Sequence, residues 1–98
     1  MTPFRFHPAA AEEAAAAADY YNGKRDGLGL EFLLDLNDCI NAARALPDSG
    51  SPYEASTRRL LFRRFPFSLI YLADSNSIEI IAVAHQRRKP GYWRHRTG

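Results

Sequence analysis

His85 heads the segment HQRRKPGYWRHR, residues 85–96, where an apolar run gives way to basic residues around a Tyr-Trp pair. An imidazole with an ordinary pKa near ~6.5 suits general-base work; the alternative is that it hydrogen-bonds a loop. Arg58-Arg59 and Arg63-Arg64 flank Leu60-Leu61-Phe62, and arginine offers a fixed, charged fork to an anion. Neighbours on a strand point to opposite faces. Arg59 and Arg63 would then share one face and Arg58 and Arg64 the other, with either pair free to meet a partner. Tyr92 and Trp93 have the ring surface to stack on bases or to fill a partner's pocket. For Trp93 the alternative is a plug folded back over the sheet edge. His7, His85 and His95 lack metal-ligand spacing and Cys39 stands alone, so no metal and no cofactor is expected.

The charge around these residues is uneven. The net charge of +2 conceals four Lys/Arg against nine Asp/Glu in residues 1–55, and nine against two in residues 56–98. Such a split gives the C-terminal half an affinity for an acidic partner, nucleic acid or an acidic protein segment, unless it is simply a solvated basic face. The 98 residues, 46% hydrophobic and 24% charged, suit one domain over 1–98 with one modest core. A lone cysteine forms no intramolecular disulfide and fits a reducing cytoplasm. No stretch approaches ~18 consecutive apolar residues, so no membrane span is expected. The N-terminus lacks the basic start, apolar block and cleavage pattern of a signal peptide.

The elements that must position these residues follow from periodicity. Pro3–His7 alternates as a short strand. Pro8 then opens a helix, with Glu12 and Glu13 early in it, where the helix dipole favours negative charge. Ala10, Ala14, Ala17 and Tyr21 form its apolar stripe, and Asn22-Gly23 is expected to end it with a left-handed cap. A second helix runs over 28–46, with Phe32, Leu36, Ile40 and Ala43 on one face and Leu33 and Cys39 broadening it, until Pro47 stops it. Strands are expected at Thr57–Arg63, Phe67–Ala73 and Ser77–His85, the last apolar on both faces and so internal. The order β-α-α-β-β-β predicts an α+β fold, a helical hairpin across one face of a mainly antiparallel sheet, with the other face free for a partner.

Four stretches in this order and spacing, FHPAAAEEAAAAADYY, GLGLEF, RRLLFRRFPFSLIY and IAVAHQRRKPGYW, resemble the RelE/ParE superfamily of type II toxins over nearly the whole chain. The likeness is to the ParE-like branch above all. The resemblance implies a cytoplasmic toxin in a hetero-oligomer with a cognate antitoxin, whose C-terminal segment wraps it. It also implies one of two activities. RelE-like members cleave messenger RNA in the ribosomal A site, whereas ParE-like members inhibit DNA gyrase. In the RelE-like pattern an arginine follows the aromatic of the middle strand; here Ser68 takes that place, and a serine offers no charged fork to a phosphate. Pro90-Gly91 also interrupts the basic run that precedes Tyr92.

The expectation is therefore a gyrase inhibitor that acts by binding, without covalent chemistry of its own. Arg58, Arg59, Arg63, Arg64, Arg87, Arg88, Tyr92 and Trp93 are its candidates for contact with target or antitoxin. The alternatives are a ribosome-dependent endoribonuclease, with His85, Arg59, Arg63 and Tyr92 as its cutting set, and a non-toxic homologue that only binds antitoxin.

Overall fold

A computed structural model describes residues 2–97. Strand β1 (Phe4–Phe6) leads into helix α1 (Pro8–Lys24). The His7 imidazole caps this helix, its Nδ1 accepting the Ala9 N–H at 3.1 Å, and Pro8 occupies the first turn, where a missing N–H costs least. Gly23 does not end the helix as expected. The chain stays helical to Lys24, and the left-handed conformation falls at Gly27 (φ 89°), whose N–H donates to the Asn22 side chain at 2.9 Å.

Helix α2 (Leu28–Ala45) returns antiparallel to α1. The helices approach so closely that a β-carbon on Gly29 would meet the Ala18 carbonyl oxygen at 2.5 Å. Phe32, Leu36, Cys39, Ile40 and Ala43 are buried as their spacing predicts, but Leu33 is 41% exposed and does not broaden the stripe. Phe32 lies at the centre of an aromatic cluster, with ring centroids 4.9–5.6 Å from those of Tyr21, Phe62, Phe65 and Phe67.

After α2 come β2 (Ser51–Pro52), β3 (Arg58–Leu61), β4 (Phe67–Ala73) and β5 (Ile78–His85), in a sheet ordered β1-β5-β4-β3-β2. β1 runs parallel to β5 and the other neighbours are antiparallel, so β5 is internal, as its two apolar faces require. Ile70 opposes Ala82 while Tyr71 opposes Ile80, leaving Ile81 as an extra residue. This irregularity puts Ile81 and Ala82 together on the face away from the helices.

Two expectations fail here. β3 stops at Leu61, so Arg63 and Arg64 lie in a loop and share no strand parity with Arg58 and Arg59. The cause is Asp35 of α2, whose buried carboxylate accepts the N–H groups of Arg63, Arg64 and Phe65 at 2.8–3.1 Å. Nor is the sheet's second face free. The chain after β5 folds back across it and lays Trp93, 1% exposed, on Ile70, Ile81, Ala82 and Ala84. Trp93 thus plugs the sheet, and the expectation that it touches target or antitoxin is corrected.

Candidate partner-binding site

β3, β4, the end of β5 and the returning C-terminal segment enclose a small pocket of about 110 Å³ on the face away from the helices. Ile70, Ala84 and Trp93 make its apolar floor, with the buried Ser68 among them. Around the rim stand Arg59, His85, Arg88 and Lys89. Arg59 projects to this side by alternation from Arg58, and its guanidinium lies over the Tyr53 ring, 4.6 Å from the centroid. Arg88 lies over the Tyr92 ring at 3.8 Å. Both contacts hold a flexible cation in one orientation through its attraction to the ring face.

Tyr53 is itself held by unusual backbone. Ala55 (φ 56°) and Ser56 (φ 62°) are both left-handed, a strained state for residues other than glycine. The turn is closed by the Tyr53 N–H donating to the Thr57 carbonyl at 2.8 Å and by the Thr57 hydroxyl donating to the Glu54 carbonyl at 2.6 Å. Arg94 pairs with Glu54 at 3.6 Å and so ties the C-terminal segment to the same turn.

The opposite wall depends on a residue whose role the sequence does not reveal. Strand β1 ends at Phe6, opposite Ile80, and leaves the neighbouring edge of β5 without a strand. Side chains replace it. Glu13 Oε1 accepts the Val83 N–H at 3.1 Å, and Arg96 Nη1 donates to the Ile81 carbonyl at 3.0 Å. Glu13 and Arg96 are also paired with each other, and the Tyr92 hydroxyl donates to Glu13 Oε2 at 2.6 Å. Burial, then the bond to Glu13, pushes the Tyr92 hydroxyl well above the ordinary tyrosine range. The Glu13 carboxylate raises the Arg96 guanidinium further still. Glu13 therefore closes a sheet edge and fixes the C-terminal segment, rather than merely serving the helix dipole.

The remaining candidates disperse. Arg58 points to the other side, donating to the Asp48 and Gly50 carbonyls at 3.3 and 2.8 Å and pairing with the Asp48 carboxylate at 3.4 Å. Arg63 and Arg64 line a separate depression beside α2, with Glu31, Asp35 and Asp38, where Arg64 pairs with Glu31 at 2.6 Å. Hydrogen bonds from Arg64 and then Arg25 hold the Glu31 carboxyl below its ordinary value. Arg87 is exposed beside Arg88.

The proposed cutting set is accordingly divided. Arg59, His85 and Tyr92 line one pocket and Arg63 lies outside it, because Asp35 draws its loop onto α2. Within the set, His85 Nδ1 accepts the Arg87 N–H at 3.0 Å, its ring edge-on to Phe67. Among the described residues no cluster of His, Cys, Asp and Glu has the form of a metal site, and no helix is long and apolar enough to cross a membrane.

An apolar groove of about 420 Å³ lies on the opposite side of the molecule, between the helices and β1. Phe4, Phe6, Leu33, Leu36 and Ile40 line it, and Leu30, 62% exposed, precedes Leu33 by one turn of α2.

The family model described as "ParE toxin of type II toxin-antitoxin system, parDE" matches residues 4–90. Among solved structures, the chain is similar to one titled "Chromosomal ParDE TA system from P. aeruginosa", with a TM-score of 0.77 and 21% identity over 87% of this chain and 96% of that one. That likeness establishes the fold. No curated protein matches the sequence.

Proposed function

The chain belongs to the ParE toxin family of type II toxin–antitoxin systems, and from that premise we propose that it arrests growth by binding DNA gyrase and is neutralised by a cognate antitoxin. The observation that carries the choice of target is the chemistry of the pocket. RNA cleavage through the 2′-OH needs a proton acceptor, cations on the scissile phosphate and a donor for the leaving oxygen. Here Ser68 stands where the nuclease pattern has an arginine, and Arg63 lies outside the pocket. The Tyr92 hydroxyl already donates to Glu13, which supports a structural role for it. What remains is a basic surface of Arg59, Arg88 and Lys89, suited to binding.

The antitoxin would be a wrapping segment, an amphipathic helix laying its apolar side in the groove of Phe4, Phe6, Leu33 and Ile40 and acidic residues further along the segment reaching the basic half of the toxin. One observation favours the ribonuclease alternative, namely that Arg59, His85 and Tyr92 line one pocket. Supercoiling assays with purified gyrase and transcript-cleavage assays on translating ribosomes separate the two. Inhibited supercoiling with intact transcripts is the expected result.

A further inference from the structure

We propose that the pocket at Arg59, Ser68, His85, Arg88 and Lys89 is a docking site for the phosphodiester backbone of DNA, a proposal that rests on the reading that this toxin engages gyrase while gyrase holds DNA. The inference begins from an imbalance. Among the described residues of the basic half, Arg59, Arg63, Arg87, Arg88 and Lys89 form no ion pair, and all but Arg63 gather at or beside this pocket, whereas Arg58, Arg64, Arg94 and Arg96 are each paired. Cations gathered without a carboxylate repel one another, and that cost is recovered when an anion enters.

The geometry selects the kind of anion. At about 110 Å³ the pocket is far smaller than the roughly 300–1,000 Å³ of sites for drug-sized ligands, so it takes a charged group and not a nucleoside. Its polar groups come from β3, from β4 and from the segment after β5. Donors contributed by separate elements can reach different oxygens of a tetrahedral phosphate, and arginine binds phosphate with strong charge-assisted hydrogen bonds. The two flanking rings are already covered, Tyr53 by Arg59 and Tyr92 by Arg88, so neither is open to stack on a base. Recognition is then of backbone and not of sequence. Arg87, Arg88 and Lys89 follow one another along the exposed turn, and a series of cations matches a polymer with closely spaced repeating charge, as duplex DNA has.

The test is binding of a labelled duplex oligonucleotide, followed by fluorescence anisotropy across a salt series with the full chain. Sequence-independent contacts of this kind give dissociation constants of roughly 10⁻⁴–10⁻⁶ M at physiological salt. Arg59→Gln and Arg88→Gln should each weaken binding about five- to tenfold at 0.1 M salt, alike for different sequences, and flatten the salt slope by about one. Arg5→Gln and Arg25→Gln remove the same charge from exposed residues that have carboxylate partners, and should change affinity less than twofold.

Equal losses in all four variants would overturn the pocket in favour of net charge. Absence of DNA binding would overturn it outright. So would competition by a glutamate-rich peptide as effective as that by an oligonucleotide of equal charge, because the site would then prefer carboxylates. The same variants in a supercoiling assay separate this inference from its premise. Wild-type inhibition retained by Arg59→Gln and Arg88→Gln contradicts the DNA site alone, whereas wild-type DNA binding without any effect on gyrase contradicts the choice of target.

Discussion

Glu13 and Arg96, 83 residues apart in the chain, are joined by two hydrogen bonds of 2.8 and 3.0 Å between carboxylate and guanidinium. The side chains are 18% and 8% exposed, and each also satisfies a backbone group of β5. One ion pair thus closes a sheet edge and holds the segment that carries Tyr92 and Trp93.

Removing one partner of such a pair leaves a buried charge without compensation, so Glu13→Ala should destabilise the protein by about 3 kcal/mol in urea unfolding. Trp93 emission should shift to longer wavelength as the plug loosens. A loss below about 0.5 kcal/mol with unchanged emission would mean that the segment is held by Trp93 burial alone.

Asp35 should prove equally costly for a different reason. Its carboxylate is the acceptor for three backbone N–H groups of the Arg63-Arg64 loop. Asp35→Ala strands those donors, and about 2–3 kcal/mol of stability should go with it. Amide hydrogen exchange at Arg63, Arg64 and Phe65 should accelerate ahead of exchange in β4; unchanged protection there would show that the loop is held by something else.

Two glycines in the helical hairpin should respond in opposite directions. Gly29→Ala drives a methyl group into the Ala18 carbonyl and should cost about 1–3 kcal/mol, as overpacking does. Gly23 has open space around it and lies within α1, so Gly23→Ala should stabilise by about 0.4–1 kcal/mol. Thermal melting of the two variants decides it: a Gly29→Ala variant as stable as the parent would contradict the closeness of α1 to α2, and a destabilised Gly23→Ala variant would contradict the open space at that position.

Alkaline pH should weaken the fold. Burial pushes the Cys39 thiol from 9.0 up to about 12, aided by Asp35 and Asp38, and burial with Glu13 raises the Tyr92 hydroxyl. Both groups are neutral in the fold and lose their protons more readily when unfolded. Their contribution is complete below the unfolded values, near pH 9 for the thiol, and is lost as pH climbs toward 12. Denaturant midpoints should fall over that window, and Cys39→Ala should flatten the fall. A thiol reagent should label Cys39 only upon unfolding.

Periodicity carried most of the architecture. The 3.6-residue spacing of Phe32, Leu36, Ile40 and Ala43 located the buried face of α2, and the apolar run of β5 marked it as internal. What escaped depends on contacts between distant residues. Alternation through Leu60-Leu61-Phe62 gives no sign that β3 ends, because the carboxylate that ends it belongs to Asp35 on α2. Glu13 looks like any acidic residue early in a helix, and its partners Val83, Tyr92 and Arg96 lie at the far end of the chain. Asn22-Gly23 has the composition of a helix cap, yet Asn22 caps the Gly27 turn instead. Of the residues that line the candidate pocket, Arg59, His85, Arg88 and Tyr92 stand out in the sequence by type and spacing. Tyr53 does not, since its place under Arg59 requires the strained turn at Ala55 and Ser56.

If the toxin acts as proposed, it binds gyrase and performs no cleavage of its own. The most direct measurement is gyrase supercoiling of relaxed plasmid with increasing purified toxin, together with the amount of linear DNA released when gyrase is denatured. Supercoiling should fall and linear DNA should rise, and both effects should disappear when the antitoxin is added. Undiminished supercoiling and no linear DNA, with transcripts cut on translating ribosomes in the presence of the same protein, would contradict the proposal.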